Sequence, residues 1–464
     1  MAKKYKILVT SILAGSGHNS FGDFLFNELK KNKDWELVRF IHPSKMMDST
    51  YNSTTKHLIT IFNFLIEHAP RLAADIFTLS QLNLVDKCIQ VINQEKPDCV
   101  LSTHHTITAL FKISQWFTKN KFLILNTYLD YGAQPSALLP YDLYLRPDYS
   151  VVLSKVTMES IKKSTKQKPE YILMAGRKPQ GEFLETDLDT TFSKEKYREK
   201  LLKNFSNPLT KQISSKKTSI LIASGGGGSI QRTQGILNKI SQYQKTKIEL
   251  LDKFQFFVIC GQNHKFQKKI MKIRKTKLAW QNIFPFGWLS PKEYALVQKA
   301  SDYPILYSMA PATMFELMAS DTLPLIIHKV RAMHEKGNVE FVEQSKIGQY
   351  VGDDAELIDG IFKNKFTRDK VKYEERAIRI LRDNKERFDN FVINLQEVFN
   401  RPIPKSNKVY NVDFKNQISS VAISIIFFVA YIVLRIIAKI LGTVTFWRKY
   451  FRRHQRDNTN GKKI

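Results

Sequence analysis

Short apolar runs that end in glycine or small polar residues alternate along this chain with stretches whose apolar positions recur every three to four residues. Lys6 to Thr10 (KILVT) predicts a buried strand. The loop SILAGSGHNS follows, and Phe21 to Leu29 has helical spacing. Trp35 to Phe40 predicts a second strand, and His57 to Asn93 a helical region. PDCVLSTHH (97–105), KFLILNTYLD (121–130) and DYSVVLS (148–154) read as further buried strands that finish on polar residues. Gly176 to Ser215 is polar and Lys-rich, with Pro179, Gly181 and Pro208, and reads as a junction carrying a connecting helix. The pattern then restarts. TSILIASGGGGS is strand then glycine loop, Ile230 to Ile240 is helical, and strands follow in FQFFVICGQN, IFPFGWLS, SDYPILY and TLPLIIH. Arg368 to Phe399 is charged and amphipathic, as expected of long surface helices.

Strands that alternate with helices imply parallel sheets, with ligands beyond the C-terminal strand ends. The expected fold class is therefore α/β, with two Rossmann-like lobes around a cleft. Residues 1–180 form the N-terminal lobe, 215–365 the C-terminal lobe and 366–402 closing helices. Ile418 to Leu434 is apolar and uncharged, and Arg435 and Lys439 follow it. Those 17 residues approach the ~20 needed to cross a bilayer. We therefore expect a C-terminal membrane helix or in-plane membrane segment over 418–447. The tail 448–464, with seven Lys/Arg and one Asp, suits anionic lipid.

Composition narrows the partners. The chain has 464 residues and a net charge of +29, which favours anionic partners such as lipid surfaces or phosphorylated ligands. The basic residues are spread out and form no recognised nucleic-acid module, so nucleic acid is not an expected partner. Cys88, Cys99 and Cys260 are isolated within apolar runs, as reduced buried thiols are, and no Cys/His cluster suggests a metal. The basic, apolar N-terminus runs straight into a glycine loop and reads as a strand, not a targeting segment.

Several loops carry candidate chemistry. Gly15 and Gly17 precede His18 at a strand end, where glycines allow close backbone approach and a helix N-terminus favours anions. Gly225, Gly226, Gly227 and Gly228 sit between a strand and a helix, which suits phosphate contact. No GK[ST] follows them, so this is no P-loop, and no acidic residue stands about 20 residues on, as a dinucleotide site would want. Gly261 and Asn263 end another strand. Thr313 and Glu316 open a helix, where a carboxylate can accept two ribose hydroxyl bonds. Glu335 and Asn338 follow in HEKGN.

In this order the motifs resemble the glycosyltransferase family of plant monogalactosyldiacylglycerol synthases and bacterial diacylglycerol glucosyltransferases, and more distantly the peptidoglycan lipid-linked N-acetylglucosaminyltransferase. GSGH follows the first strand, and KPDCVLSTHH (96–105) is similar to the family's PD-x-x-(I/V)-S-T-H. NTYLDYG (126–132), DLYLRPDYSVVLSKVTMESI, LMAGRKPQGEF, SGGGGS, FVICGQN, FGW and HEKGNVEFV then appear in family order over roughly residues 5 to 350. The family's KPGG-x-T-x-x-E is here SMAPATMFE, which keeps Thr313 and Glu316 but not the glycines, and its Thr-Asp is here Leu129-Asp130.

The resemblance implies a GT-B-type enzyme that moves glucose or galactose from UDP-glucose or UDP-galactose to diacylglycerol or a related lipid. It implies that the N-terminal lobe takes the acceptor and the C-terminal lobe the donor. Transfer would invert the anomeric centre and use no cofactor or metal, at the cytoplasmic side of the cell membrane. Asp130, His18 and His104 are its catalytic candidates, with Asp130 preferred as base or orienter and His18 near the acceptor. The Gly225–Gly228 amides would hold the leaving diphosphate, and Glu316, Glu335 and Asn338 the ribose and the transferred sugar. A sterol or polyprenyl-linked acceptor, or a non-catalytic nucleotide- or lipid-binding protein of the same fold, stays open.

Overall fold

The structure, a computed structural model, describes residues 4–12, 16–42, 81–132, 145–165, 167–179, 183, 193–204, 210–224, 233–244, 252–276, 280–330, 335–401 and 429. In the N-terminal lobe the strands are β1 (Tyr5–Ile12), β2 (Trp35–His42), β3 (Cys99–Ser102), β4 (Leu123–Tyr128), β5 (Tyr149–Val152) and β6 (Ile172–Met174). The helices are α1 (Ser16–Leu29), α2 (Val85–Glu95), α3 (His105–Gln115) and α4 (Lys155–Thr165). Helix α5 (Lys194–Asn204) lies in the expected junction. The C-terminal lobe has β7 (Thr218–Ala223), α6 (Thr233–Gln244), β8 (Phe254–Ile259), α7 (His264–Thr276), β9 (Ile283–Phe286), α8 (Pro291–Lys299) and β10 (Tyr303–Leu306). It continues through α9 (Pro311–Ala319), β11 (Leu325–Ile327), α10 (Lys336–Gln344), β12 (Gly348–Tyr350) and α11 (Asp354–Phe362), and α12 (Lys370–Asn400) follows.

Both sheets are parallel, as runs buried on both faces require. The first runs β2-β1-β3-β4-β5-β6 and the second β12-β11-β10-β7-β8-β9. Each order reverses once, between β1 and β3 and between β7 and β10. A crevice opens at such a switch point beyond the strand ends, so the topology sets one crevice in each lobe. The strands β6 and β12, three residues each, were not expected from the sequence.

One apolar cluster joins the lobes. It runs from Ile7, Phe21 and Leu125 through Tyr131 to Phe315, Met318 and Val342, and takes in Phe388 and Leu395 of α12. This last helix, expected as more than one, is a single element that returns to the N-terminal lobe. Tyr5 Oη donates to Asn400 Oδ1 at 2.9 Å, and the Phe24 and Phe388 rings lie 5.1 Å apart. The return needs a bare backbone at Gly176, because a Cβ there would stand 1.8 Å from the Asn384 carbonyl oxygen. Gly176→Ala is expected to push α12 off the lobe and cost about 1–3 kcal/mol, read as a lowered calorimetric Tm. An unchanged Tm would show that the helix crossing is loose there.

Among the described residues no helix is long and apolar enough to cross a membrane. The expected membrane segment 418–447, apart from Val429, and the basic tail 448–464 lie outside the described residues.

Candidate active site

The N-terminal crevice holds three imidazoles. His18 sits in the first turn of α1, after β1, and His104 and His105 follow β3. The His18 and His104 rings meet edge-on with centroids 4.6 Å apart, and His104 stacks on His105 at 4.3 Å. Their hydrogen bonds separate their chemistry. His18 Nδ1 lies 2.6 Å from the Thr103 carbonyl oxygen. A carbonyl only accepts, so Nδ1 carries the proton and the neutral ring keeps its lone pair on Nε2. Thr103 Oγ1 also donates to the His18 carbonyl at 3.1 Å, so one residue clamps His18 at ring and backbone.

His104 has the opposite tautomer. Its Nδ1 accepts from Thr106 N–H at 3.2 Å and caps α3, which leaves the neutral ring's hydrogen on Nε2. Burial, then the neighbouring His105 and His18, hold its pKa well below the usual histidine range, so it is neutral at physiological pH. His104 is thus built as a cap and a hydrogen-bond donor, not as a base. Burial likewise lowers His105 to about 3.

Asp130 follows β4, one strand beyond β3, so its strand end stands about 10 Å from that of β1. Its Oδ1 accepts from Asn338 Nδ2, across the cleft, at 2.8 Å. Asn338 is fully buried at the start of α10. The same Nδ2 donates to the Met309 carbonyl at 3.0 Å, and its Oδ1 accepts from Tyr131 N–H at 2.7 Å. A Cβ on Gly132 would stand 2.0 Å from Gly337 Cα, so the two backbones touch beside this bond. Asp130 and Asn338, set apart in the sequence reading as base and sugar contact, form one latch between the lobes.

The carboxylates of the C-terminal lobe differ in use. Glu335 accepts from Ser308 Oγ at 2.6 Å and from Met309 N–H at 3.1 Å, which fixes the loop after β10 at that lobe's switch point. Glu316, in α9, accepts from Gln298 Nε2 at 3.4 Å. Part of its side chain reaches solvent, yet burial pushes its carboxyl up to about 7, against the pull of Arg177 and Gln298. Thr313 lies in the first turn of α9. Gly261 takes φ 55°, and Asn263 Oδ1 caps α7 through Phe266 N–H at 3.0 Å, so both serve the turn after β8. A Cβ on Gly17 would meet nothing within 4 Å, so that glycine answers to open space, not packing. Gly15 and Gly225–Gly228 lie outside the described residues.

Sequence reasoning passed over Arg177, Tyr131 and Asn384. Arg177 is buried between the lobes over the Phe21 ring, 4.7 Å from its centroid, and burial lowers its pKa. Its Nε and Nη2 have no hydrogen-bond partner among the described residues. Tyr131 Oη donates to Asn384 Oδ1 at 2.6 Å, which ties the latch loop to α12. A polar tripeptide such as GRK gives no hint of such a place.

No protein-family profile matches the chain, and no curated protein matches it in sequence. Solved structures do match the fold. A glycosyltransferase from Rickettsia africae superposes with a TM-score of 0.55 at 16% identity, over 85% of this chain and 98% of that one. The S. aureus MnaA–UDP structure matches with 0.50 at 12% identity, over 86% and 97%. A putative UDP-N-acetylglucosamine 2-epimerase from Listeria monocytogenes matches with 0.52 at 12% identity, over 88% and 100%. The fold is thus the two-lobed α/β type, present in a glycosyltransferase and in a putative nucleotide-sugar epimerase. In this chain one of the polar contacts between the lobes runs through Asp130 and Asn338.

Proposed function

We propose that the chain is a glycosyltransferase that moves glucose or galactose from a UDP-sugar to diacylglycerol or a related membrane lipid, inverting and independent of metal, at the cytoplasmic face of the cell membrane. The observation that carries this reading is the His18 imidazole, held by Thr103 in the tautomer that leaves Nε2 as acceptor, at the switch point of the lobe facing the donor side. The order of sequence motifs supports the sugar and lipid assignments, and UDP in the MnaA structure supports the nucleotide.

In the proposed reaction His18 Nε2 takes the proton of the acceptor hydroxyl as its oxygen attacks the anomeric carbon. The bond from that carbon to the diphosphate breaks, and UDP leaves. Backbone amides of Gly225–Gly228 and a helix N-terminus offset its charge. Asp130 is assigned to closing the cleft. The Asp130→Asn side chain keeps an oxygen for Asn338 Nδ2, so this variant is expected to retain kcat within about tenfold, whereas loss of a true base costs about 10²–10⁴-fold. A collapse of kcat in that range would return Asp130 to the role of base.

Glu316 is assigned to the ribose hydroxyls, which only the ionised carboxylate accepts in pairs. With its pKa near 7, its ionised fraction rises between pH 6 and 8. The donor KM is expected to fall over that range and to lose the dependence in Glu316→Gln. The same shift has a stability sign. The folded value of about 7 lies above the ordinary 4.5, so the proton binds the folded state more tightly. That contribution is full below 4.5 and is lost as pH rises through 7. A donor KM flat from pH 6 to 8 would remove Glu316 from the ribose site.

The whole reading is tested by incubating the purified full chain in anionic vesicles with labelled UDP-glucose and UDP-galactose, with and without EDTA. Labelled glycolipid formed equally with EDTA is the expected result. Label moving only to a sterol or polyprenyl lipid, an epimerised nucleotide sugar with no lipid product, or binding without turnover would each overturn it.

A further inference from the structure

We propose that Arg39, in β2, is a positioning residue for the His18 imidazole. The inference rests on the reading of His18 as the base. Arg39 spends its whole guanidinium fork where β1 ends and α1 begins. Its Nε donates to Asp23 Oδ1 at 2.8 Å, and its Nη1 to the carbonyls of Val9 at 3.2 Å and Phe40 at 3.0 Å. Its Nη2 donates to Ser11 Oγ at 2.6 Å, Asn19 Oδ1 at 2.8 Å and the Asn19 carbonyl at 3.3 Å. Ser11 Oγ in turn donates to Asn19 Oδ1 at 2.9 Å. Gly22 leaves room for this fork, since a Cβ there would lie 2.6 Å from Nη2.

Asn19 directly follows His18, and Ser11 is the penultimate residue of β1. One planar group therefore fixes both ends of the glycine loop and the helical turn that carries the imidazole. Thr103, just after β3, holds the ring and carbonyl of His18, while the guanidinium from β2, across β1, holds the backbone turn at Asn19. Lysine has the charge but not the fork, and cannot reach these partners in their planar arrangement. Arg39 lies outside every motif in the sequence and touches none of the three imidazoles itself.

The experiment measures kcat, donor KM and UDP binding by calorimetry for Arg39→Met, Arg39→Lys and Asn19→Ala. Asn19→Ala removes one acceptor from the network and leaves the other Arg39 partners, so it serves if Arg39→Met does not fold. A misplacement of about 1 Å can cost on the order of 10²-fold. The expected result is kcat down about 100-fold in Arg39→Met, with Arg39→Lys and Asn19→Ala falling between, and UDP affinity unchanged within about twofold, because the nucleotide sits in the other lobe. Unchanged kcat, or kcat and UDP affinity falling together, would overturn the inference. Hydrogen exchange at the His18 C2 proton, followed by mass spectrometry, needs no turnover. It is expected to be faster in Arg39→Met and Asn19→Ala, and wild-type exchange would overturn the inference even if the chain proves not to be a transferase.

Discussion

Replacing His18 with alanine is expected to lower kcat by about 10³-fold while the affinity for UDP stays unchanged, because a lost general base costs about 10²–10⁴-fold. Thr103 takes the Nδ1 hydrogen and steadies the His18 carbonyl, so the ring stands in one tautomer with Nε2 as acceptor. Its neighbour His104 cannot substitute, since its own Nδ1 is spent on Thr106 N–H. Added imidazole is expected to restore part of the rate in His18→Ala, a rescue that a folding defect would not show. Retention of kcat within about threefold would remove His18 from the chemistry and leave the imidazole trio as packing.

Asn338→Leu is expected to have the largest structural effect. Leucine keeps the branch at Cγ but removes the amide that meets Asp130, Met309 and Tyr131. Tyr131 N–H, the Met309 carbonyl and the Asp130 carboxylate each lose a partner. An unsatisfied buried group costs about 1–3 kcal/mol, so the total is on the order of 4 kcal/mol. Because the bonds to Tyr131 and Asp130 join the lobes, the expected readout is a larger radius of gyration in solution scattering, faster amide exchange at 129–132 and 335–339, and kcat/KM lowered by about 100-fold or more. Gly132→Ala attacks the same contact sterically, at the Gly337 backbone, and is expected to act in the same direction. Wild-type scattering and exchange in both variants would mean that the lobes are held by the apolar cluster alone.

Most of the sheet was legible because buried parallel strands are written as apolar runs. KILVT, VLS, LILN, SILIA and FQFFVI fall in β1, β3, β4, β7 and β8. The strands β6 and β12 escaped because each is three residues at a sheet edge, where burial is partial and the run is too short to stand out. Motif order singled out Asp130, Asn338 and Glu335, but not their partners. Asp130 and Asn338 meet across 208 residues, and no local pattern records a bond of that separation. His104 was marked by its place at a strand end. The tautomer that disqualifies it as a base depends on one backbone N–H two residues on. Arg39 was invisible for another reason: an arginine in an edge strand is the commonest of solvated residues until its six acceptors are seen together.

The hydrogen bond between Tyr5 and Asn400 fixes where the last segment of the chain sets out. Tyr5 is the first residue of β1, so α12 hands the chain over at the foot of the N-terminal sheet, the end opposite the crevice that holds the three imidazoles. The lobe itself is about 26 Å tall along the eight residues of β1. The chain beyond Arg401 therefore sets out from the far end of the lobe, about that height away from the end that carries the three imidazoles.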